Sequence, residues 1–127
     1  MKLRIKGSSL RLRLTQGEVK QLETDGEVAE QVHFGGGAQL TYRLRSIPQD
    51  SAISADYRDN VIDIRIPRDA ALTWSRTDQV TLSQMQPVSG GELRVVIEKD
   101  WNCLAPRSEE DESDNFPHPD TGTAKIC

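Results

Sequence analysis

Leu10-Arg11-Leu12-Arg13-Leu14-Thr15-Gln16-Gly17-Glu18-Val19-Lys20-Gln21-Leu22 decides the fold. Its first five residues alternate apolar and cationic. Successive side chains of a strand point to opposite faces, so Leu10, Leu12 and Leu14 share a buried face and Arg11 and Arg13 the other. The period then changes. Thr15 with Glu18 three residues on is a capping box, in which the hydroxyl accepts from the Glu18 amide and the Glu18 carboxylate accepts from the Thr15 amide. Val19 and Leu22 fall on one helical face and Gly26 supplies a stop, so the spacing predicts a short helix over 16–24.

Upstream, Lys2-Leu3-Arg4-Ile5-Lys6 alternates in the same way and reaches Leu10 through Gly7-Ser8-Ser9, which reads as a hairpin. Downstream, 28–34 and 39–45 read as two strands around Gly35-Gly36-Gly37. Residues 46–60 carry the weakest pattern, with a strand expected over 52–57 and a turn at Asp59-Asn60. Ile62, Ile64 and Ile66 mark a further strand, and Pro67 suits the first turn of a helix because its missing N–H costs nothing there. Ala70, Ala71 and Trp74 share that helix's face, and 79–85 and 92–98 read as two last strands about Ser89-Gly90-Gly91.

These elements repeat. Leu10, Leu12 and Leu14 align with Ile62, Ile64 and Ile66, Leu22 with Trp74, and Val28 with Val80. After one inserted residue, Leu40, Tyr42 and Leu44 align with Leu93, Val95 and Ile97. Each match keeps the strand parity. A β-α-β-β unit cannot cover its own apolar face. The expected architecture is therefore all-β with two short helices: a small closed barrel of two β-α-β-β halves over 1–99, followed by an acidic tail over 100–127, partly docked on the barrel.

The run from Ile64 to Leu72, with Asp78 to Leu82 and Glu92 to Ile97, resembles the swapped-hairpin unit of AbrB-type proteins. That family reads strand, Ile-Pro, short helix, turn and hairpin. The resemblance implies an interlocked barrel, often dimeric, that binds DNA through basic residues. In this chain Arg65, Arg68, Arg76 and Arg94 are interleaved with Asp63, Asp69, Asp78 and Glu92, unlike a purely basic surface. Lys2 to Leu14, Glu98-Lys99-Asp100 with Cys103-Leu104, and the acidic 109–117 stretch also make the whole chain similar to a small family of uncharacterised bacterial proteins. That likeness implies a cytosolic protein and no particular activity.

Charge narrows the function. The net charge of −4 is unevenly spread: residues 1–99 hold 14 Lys+Arg against 13 Asp+Glu, and residues 100–127 hold 2 against 7. A nucleic-acid binder shows a net basic domain, so nucleic acid is not the expected partner. No apolar run is long enough to span a membrane. Met1 to Lys6 alternates charge with Leu and Ile, unlike a secretory signal, so the expected location is the cytoplasm. Cys103 and Cys127 are then expected as free thiols.

Lys2, Arg4, Lys6, Arg11 and Arg13 form a cationic stripe on the outward face of the first hairpin, which Arg43 and Arg45 are expected to extend. Such a stripe can hold phosphates, present a solvated edge, or hold the protein's own tail. Residues 109–114 carry five carboxylates and no cation. Trp101, Leu104 and Phe116 are the large apolar residues expected to anchor the tail. His33, Cys103, His118 and the 109–114 acids are metal-ligating types, but they lack any zinc or calcium-loop spacing, so no metal or cofactor is expected. Gly35-Gly36-Gly37 precedes a strand and lacks the Lys-Ser/Thr of a phosphate loop. No nucleophile elbow, HExxH or kinase set is present. The expected function is a non-enzymatic binding module with a protein partner, a homodimer included. The alternatives are a ligand-binding or enzymatic barrel with a pocket near Trp74, Trp101 and Cys103, and an AbrB-like DNA regulator.

Overall fold

The computed structural model describes residues 1–48, 51–101 and 114–117. The chain is β-rich with two short helices. In order, the elements are β1 (Lys2–Ile5), β2 (Ser9–Leu14), α1 (Gln16–Asp25), β3 (Glu27–His33), β4 (Gln39–Ile47), β5 (Ser54–Arg58), β6 (Val61–Pro67), α2 (Arg68–Arg76), β7 (Thr81–Val88) and β8 (Gly91–Lys99). The capping box forms: Thr15 Oγ1 accepts from the Glu18 amide at 3.3 Å and Glu18 Oε1 accepts from the Thr15 amide at 2.9 Å. Gly26 caps α1 in the left-handed conformation, at φ 76°, where a side chain would be strained.

The repeat is one strand longer than the sequence pattern suggests. β1 and β2 are matched by β5 and β6, and the turns Gly7-Ser8 and Asp59-Asn60 fall at the same place in each half. Asp59 and Asn60 both adopt positive φ, the pair of conformations that a two-residue hairpin turn requires. The unit is therefore β-β-α-β-β. Its first strand is faint in the second half because the inward positions of β5 are Ala55 and Tyr57, where β1 has Leu3 and Ile5. The expected match of Val28 with Val80 also shifts. Val28 pairs with Leu44 and Leu82 with Ile97, so Leu82 is the counterpart of Val28 and Val80 stands before β7.

The halves exchange hairpins. One sheet runs β1-β2-β8-β7 and the other β3-β4-β6-β5. Each joins the first hairpin of one half to the second hairpin of the other, through a parallel pair, β2 with β8 or β4 with β6. The expected closed barrel is not found. Both ladders between halves lie inside a sheet, so no ladder remains among the described residues to join one sheet to the other. Side chains span the seams instead. The Gln86 amide donates to Ala55 O at 3.0 Å and accepts from Ala55 N at 2.7 Å, standing in for a strand across the β5–β7 gap. At the other seam the Met1 amine pairs with Glu18 and, at 3.1 Å, with Glu30.

The core lies between the sheets. Leu12, Leu14, Leu44, Ile64, Ile66, Val95 and Ile97 form its centre, and Leu22 from α1 with Trp74 from α2 closes one end. Trp74 is fully buried, and its Nε1 donates to Val80 O at 2.9 Å, which satisfies the one polar group that its burial would otherwise leave unpaired. Among the described residues no helix is long and apolar enough to cross a membrane.

Candidate functional site

Three surfaces follow from this architecture. The first is the outer face of the β1-β2-β8-β7 sheet. Register places Lys2 opposite Arg13 and Arg4 opposite Arg11, so these four cations fall on one face. Lys2, Arg4 and Lys6 are exposed, Arg13 is half-buried and Arg11 is buried. The parallel partner β8 adds what sequence reasoning missed. Glu98 sits beside Arg13 and accepts from Arg13 Nε at 2.5 Å and from Arg11 Nη1 at 2.8 Å. Lys2 Nζ lies 2.8 Å from Asp100. Arg94 adds a cation to the same face. The outward parity of Arg94, Val96 and Glu98 was legible, but nothing in the sequence said that β8 would pair with β2.

Arg43 and Arg45 do not extend this stripe. They lie on the outer face of the other sheet, around Asp63, because β4 pairs with β6. Asp63 accepts from Arg43 Nε at 2.9 Å and from Arg45 Nε and Nη2 at 2.9 and 2.7 Å. The Arg45 hydrogen bonds, with those of Arg43, hold the Asp63 carboxyl below its usual range against the opposing effect of burial. Arg65 pairs with Asp56 at 2.6 Å. Each sheet thus carries one buried carboxylate clamped by arginines, at non-equivalent positions of the repeat: Asp63 on β6 and Glu98 on β8. Such clamps fix strand register and hold charge without a ligand.

The second surface is the open end of the sandwich. Leu10, Leu40, Ile62 and Leu93, with Ala55 and Tyr57, line an apolar cavity of about 340 Å³ there. Leu10 and Ile62 are equivalent in the two halves, as are Leu40 and Leu93. Ile5 pairs with Leu10, Tyr57 with Ile62 and Val32 with Leu40, so these rim residues point the same way. They are 59%, 67% and 40% exposed. Sequence reasoning missed this surface, since alternation marks an inward residue without saying whether that end of the core is covered.

The third is a cavity of about 550 Å³ between α1 and the chain leaving β8, lined by Leu14, Val19, Lys20, Glu23, Lys99 and Trp101. It includes Trp101 from the expected pocket but not Trp74, which is core; the Lys99 ammonium stands 5.8 Å from the Trp74 ring centre. Glu23 is taken by Arg76, whose Nη2 donates to it at 2.6 Å.

Of the tail residues, Trp101 is half-exposed, and Phe116 is 98% exposed and buries nothing against the body. Leu104, Cys103, His118 and Cys127 lie outside the described residues, as do 109–113; His33 is exposed at the end of β3.

Residues 1–120 match the model of a family of unknown function (DUF7009), and the chain belongs to that family. Comparison with curated proteins and with solved structures returns no match.

Proposed function

We propose that this DUF7009 chain is a non-enzymatic binding module that receives an apolar segment of a partner protein at the open end of its sandwich. One observation carries this reading: each of the four hairpins contributes an apolar residue to the cavity, Leu10, Leu40, Ile62 and Leu93, and Ile5, Val32 and Tyr57 stand exposed beside their pairing partners on three of them. Contiguous exposed apolar patches mark interaction sites more often than chance. The cavity is open to solvent on one side, whereas small-molecule sites bury most of their ligand, which favours a protein segment. A second copy could supply such an apolar segment, so a homodimer is the nearest variant of this reading.

The body over 1–99, the tail over 100–127 and a bacterial cytosolic setting belong to the same proposal. The exchanged hairpins support the likeness to AbrB-type units in topology. They do not extend to DNA, because the cations of both sheets are interleaved with Asp56, Asp63, Glu92 and Glu98. The cavity beside Trp101 favours one second reading, a small-ligand site.

An environment-sensitive apolar dye tests the first reading. The native chain should take it up with a rise in fluorescence. The double variant Ile5→Lys/Tyr57→Lys should lose that rise while keeping its melting temperature, since both side chains are already exposed. A native chain that takes up no dye, or a double variant that takes it up equally, overturns the proposal. Light scattering at the same concentrations separates a second copy from a foreign partner.

A further inference from the structure

We propose that the partner segment binds as an added β-strand on the free edge of β5, taking the place that the Gln86 carboxamide holds against Ala55. This rests on the open-end reading and names how the segment is held.

The edge itself is the first argument. β5 is the last strand of its sheet and pairs with β6 alone. In an antiparallel ladder every second residue turns its N–H and C=O away from the partner strand. Ala55 is one of these, since both groups go to Gln86 and not to Ile64 opposite. Tyr57, two residues on, has the same parity and turns its N–H and C=O to the same free edge. Sheet edges are commonly blunted by lysines, proline or an inward charge. β1 carries Lys2, β3 carries Glu30 on its inner face and β7 carries Pro87. β5, Ser54–Arg58, has none of the three.

Gln86 is the second. Its carboxamide donates to the Ala55 carbonyl at 3.0 Å and accepts from the Ala55 amide at 2.7 Å. A backbone residue of a neighbouring antiparallel strand would make the same two bonds. The fold does not demand a glutamine there. Val32 is the equivalent residue of the first half, because Val32 pairs with Leu40 and Gln86 with Leu93. A side chain that copies a peptide unit satisfies the edge in the free chain, and a real peptide unit replaces it without loss of hydrogen bonds to Ala55.

The cavity is the third. Ala55 and Tyr57 lie on the inner face of β5, and Asp56 lies on the outer face, where it pairs with Arg65. All three nevertheless line the cavity of about 340 Å³. The cavity therefore opens along the edge of β5 and not over one face of it. A strand added there sends every second side chain inward, toward Leu10, Leu40, Ile62 and Leu93. The chemistry of the occupant follows: an extended segment, apolar at alternate positions, with no proline where its backbone meets β5.

A short synthetic peptide alternating valine and threonine, with lysine at both ends, tests this on the full chain. Gln86→Leu should bind it about tenfold more tightly than the native chain, whose own carboxamide competes for Ala55. Two further peptides, N-methylated at every second amide in one register or the other, block strand pairing. At least one should bind about tenfold or more weakly than the parent. With the parent peptide at saturation, exchange of the Tyr57 amide in the native chain should slow by about tenfold or more, a readout that does not depend on the variant's folding. Strand addition is overturned if both methylated peptides bind undiminished, if the Tyr57 amide exchanges equally fast with peptide bound, or if neither chain binds the parent at about 1 mM. Dye uptake by the native chain then leaves the open-end reading standing, and its absence removes that reading too. Equal affinity in the native and Gln86→Leu chains overturns the role of Gln86. Self-association of Gln86→Leu in light scattering without peptide makes a second copy the occupant and overturns the foreign segment.

Discussion

The two ends of the sandwich are built from the same two-fold-related strands and yet finish differently. At one end α1 and α2 bridge β2 to β3 and β6 to β7, and Leu22 and Trp74 lie fully buried beneath them. At the other end all four hairpins turn, through Gly7-Ser8, 34–38, Asp59-Asn60 and Ser89-Gly90. A tight turn has no side chains to spare for covering a core, whereas a helix of nine or ten residues presents a whole apolar face. The same inward parity that buries Leu14 and Ile66 at the helical end therefore leaves Ile5 and Tyr57 in water at the other. The connections, and not the strands, decide where this core is dry.

The contrast is broken most directly by truncation. Trp74→Ala should lower stability by about 3–5 kcal/mol, the range for removing a large buried aromatic. Leu93→Ala at the open end should cost well under half of that, because the side chain is only partly buried. Urea denaturation of the two variants measures both, and equal losses would show that the ends are equally packed.

Midway between the ends, Asp63→Asn should cost on the order of 2 kcal/mol, since it leaves Arg43 and Arg45 clustered without their carboxylate. Its effect depends on pH. Arg45 and Arg43 set the folded pKa below the ordinary value of 3.8, so the native contribution is whole above that value and fades as pH falls through the lower folded one. Acid titration of stability should therefore be shallower in the Asn variant below about pH 4. The same slope in both chains would remove Asp63 from the acid transition.

A smaller effect is expected at the helical end. Thr15→Ala removes the capping hydroxyl of α1 and should cost about 1 kcal/mol. The second half has Pro67 at the equivalent position, with no side-chain cap, so no such loss is available in α2. Smallest of all, Ile5→Lys/Tyr57→Lys should shift stability by no more than about 0.5 kcal/mol. A large loss in thermal melting would mean that the open end belongs to the core after all.

Much of this was legible residue by residue. Leu10 to Leu22 announced strand, capping box and helix, and each formed where the pattern placed it. Alternation in Ile62 to Ile66 and in Leu93 to Ile97 fixed which faces are apolar. β5 was faint because Ala55 contributes little hydrophobic signal at an inward position. The shared face of Lys2, Arg4, Arg11 and Arg13 was legible, since period-2 geometry is local. Its pairing with Glu98 was not, because more than eighty residues separate the partners along the chain.

By itself, then, the sequence determined the elements, their buried faces, the internal repeat and the segregation of acid into the tail, all of which depend on neighbours within a few residues. Only the tertiary structure decided the rest. Exchanging hairpins between halves pairs β2 with β8 and β4 with β6, which splits the basic residues into two separate arginine clamps, turns the anticipated barrel into two sheets, and gathers four turns at one uncovered end. Strand alternation specifies a face but carries no information about which distant strand lies beside it, and that choice is made by packing the two halves against each other.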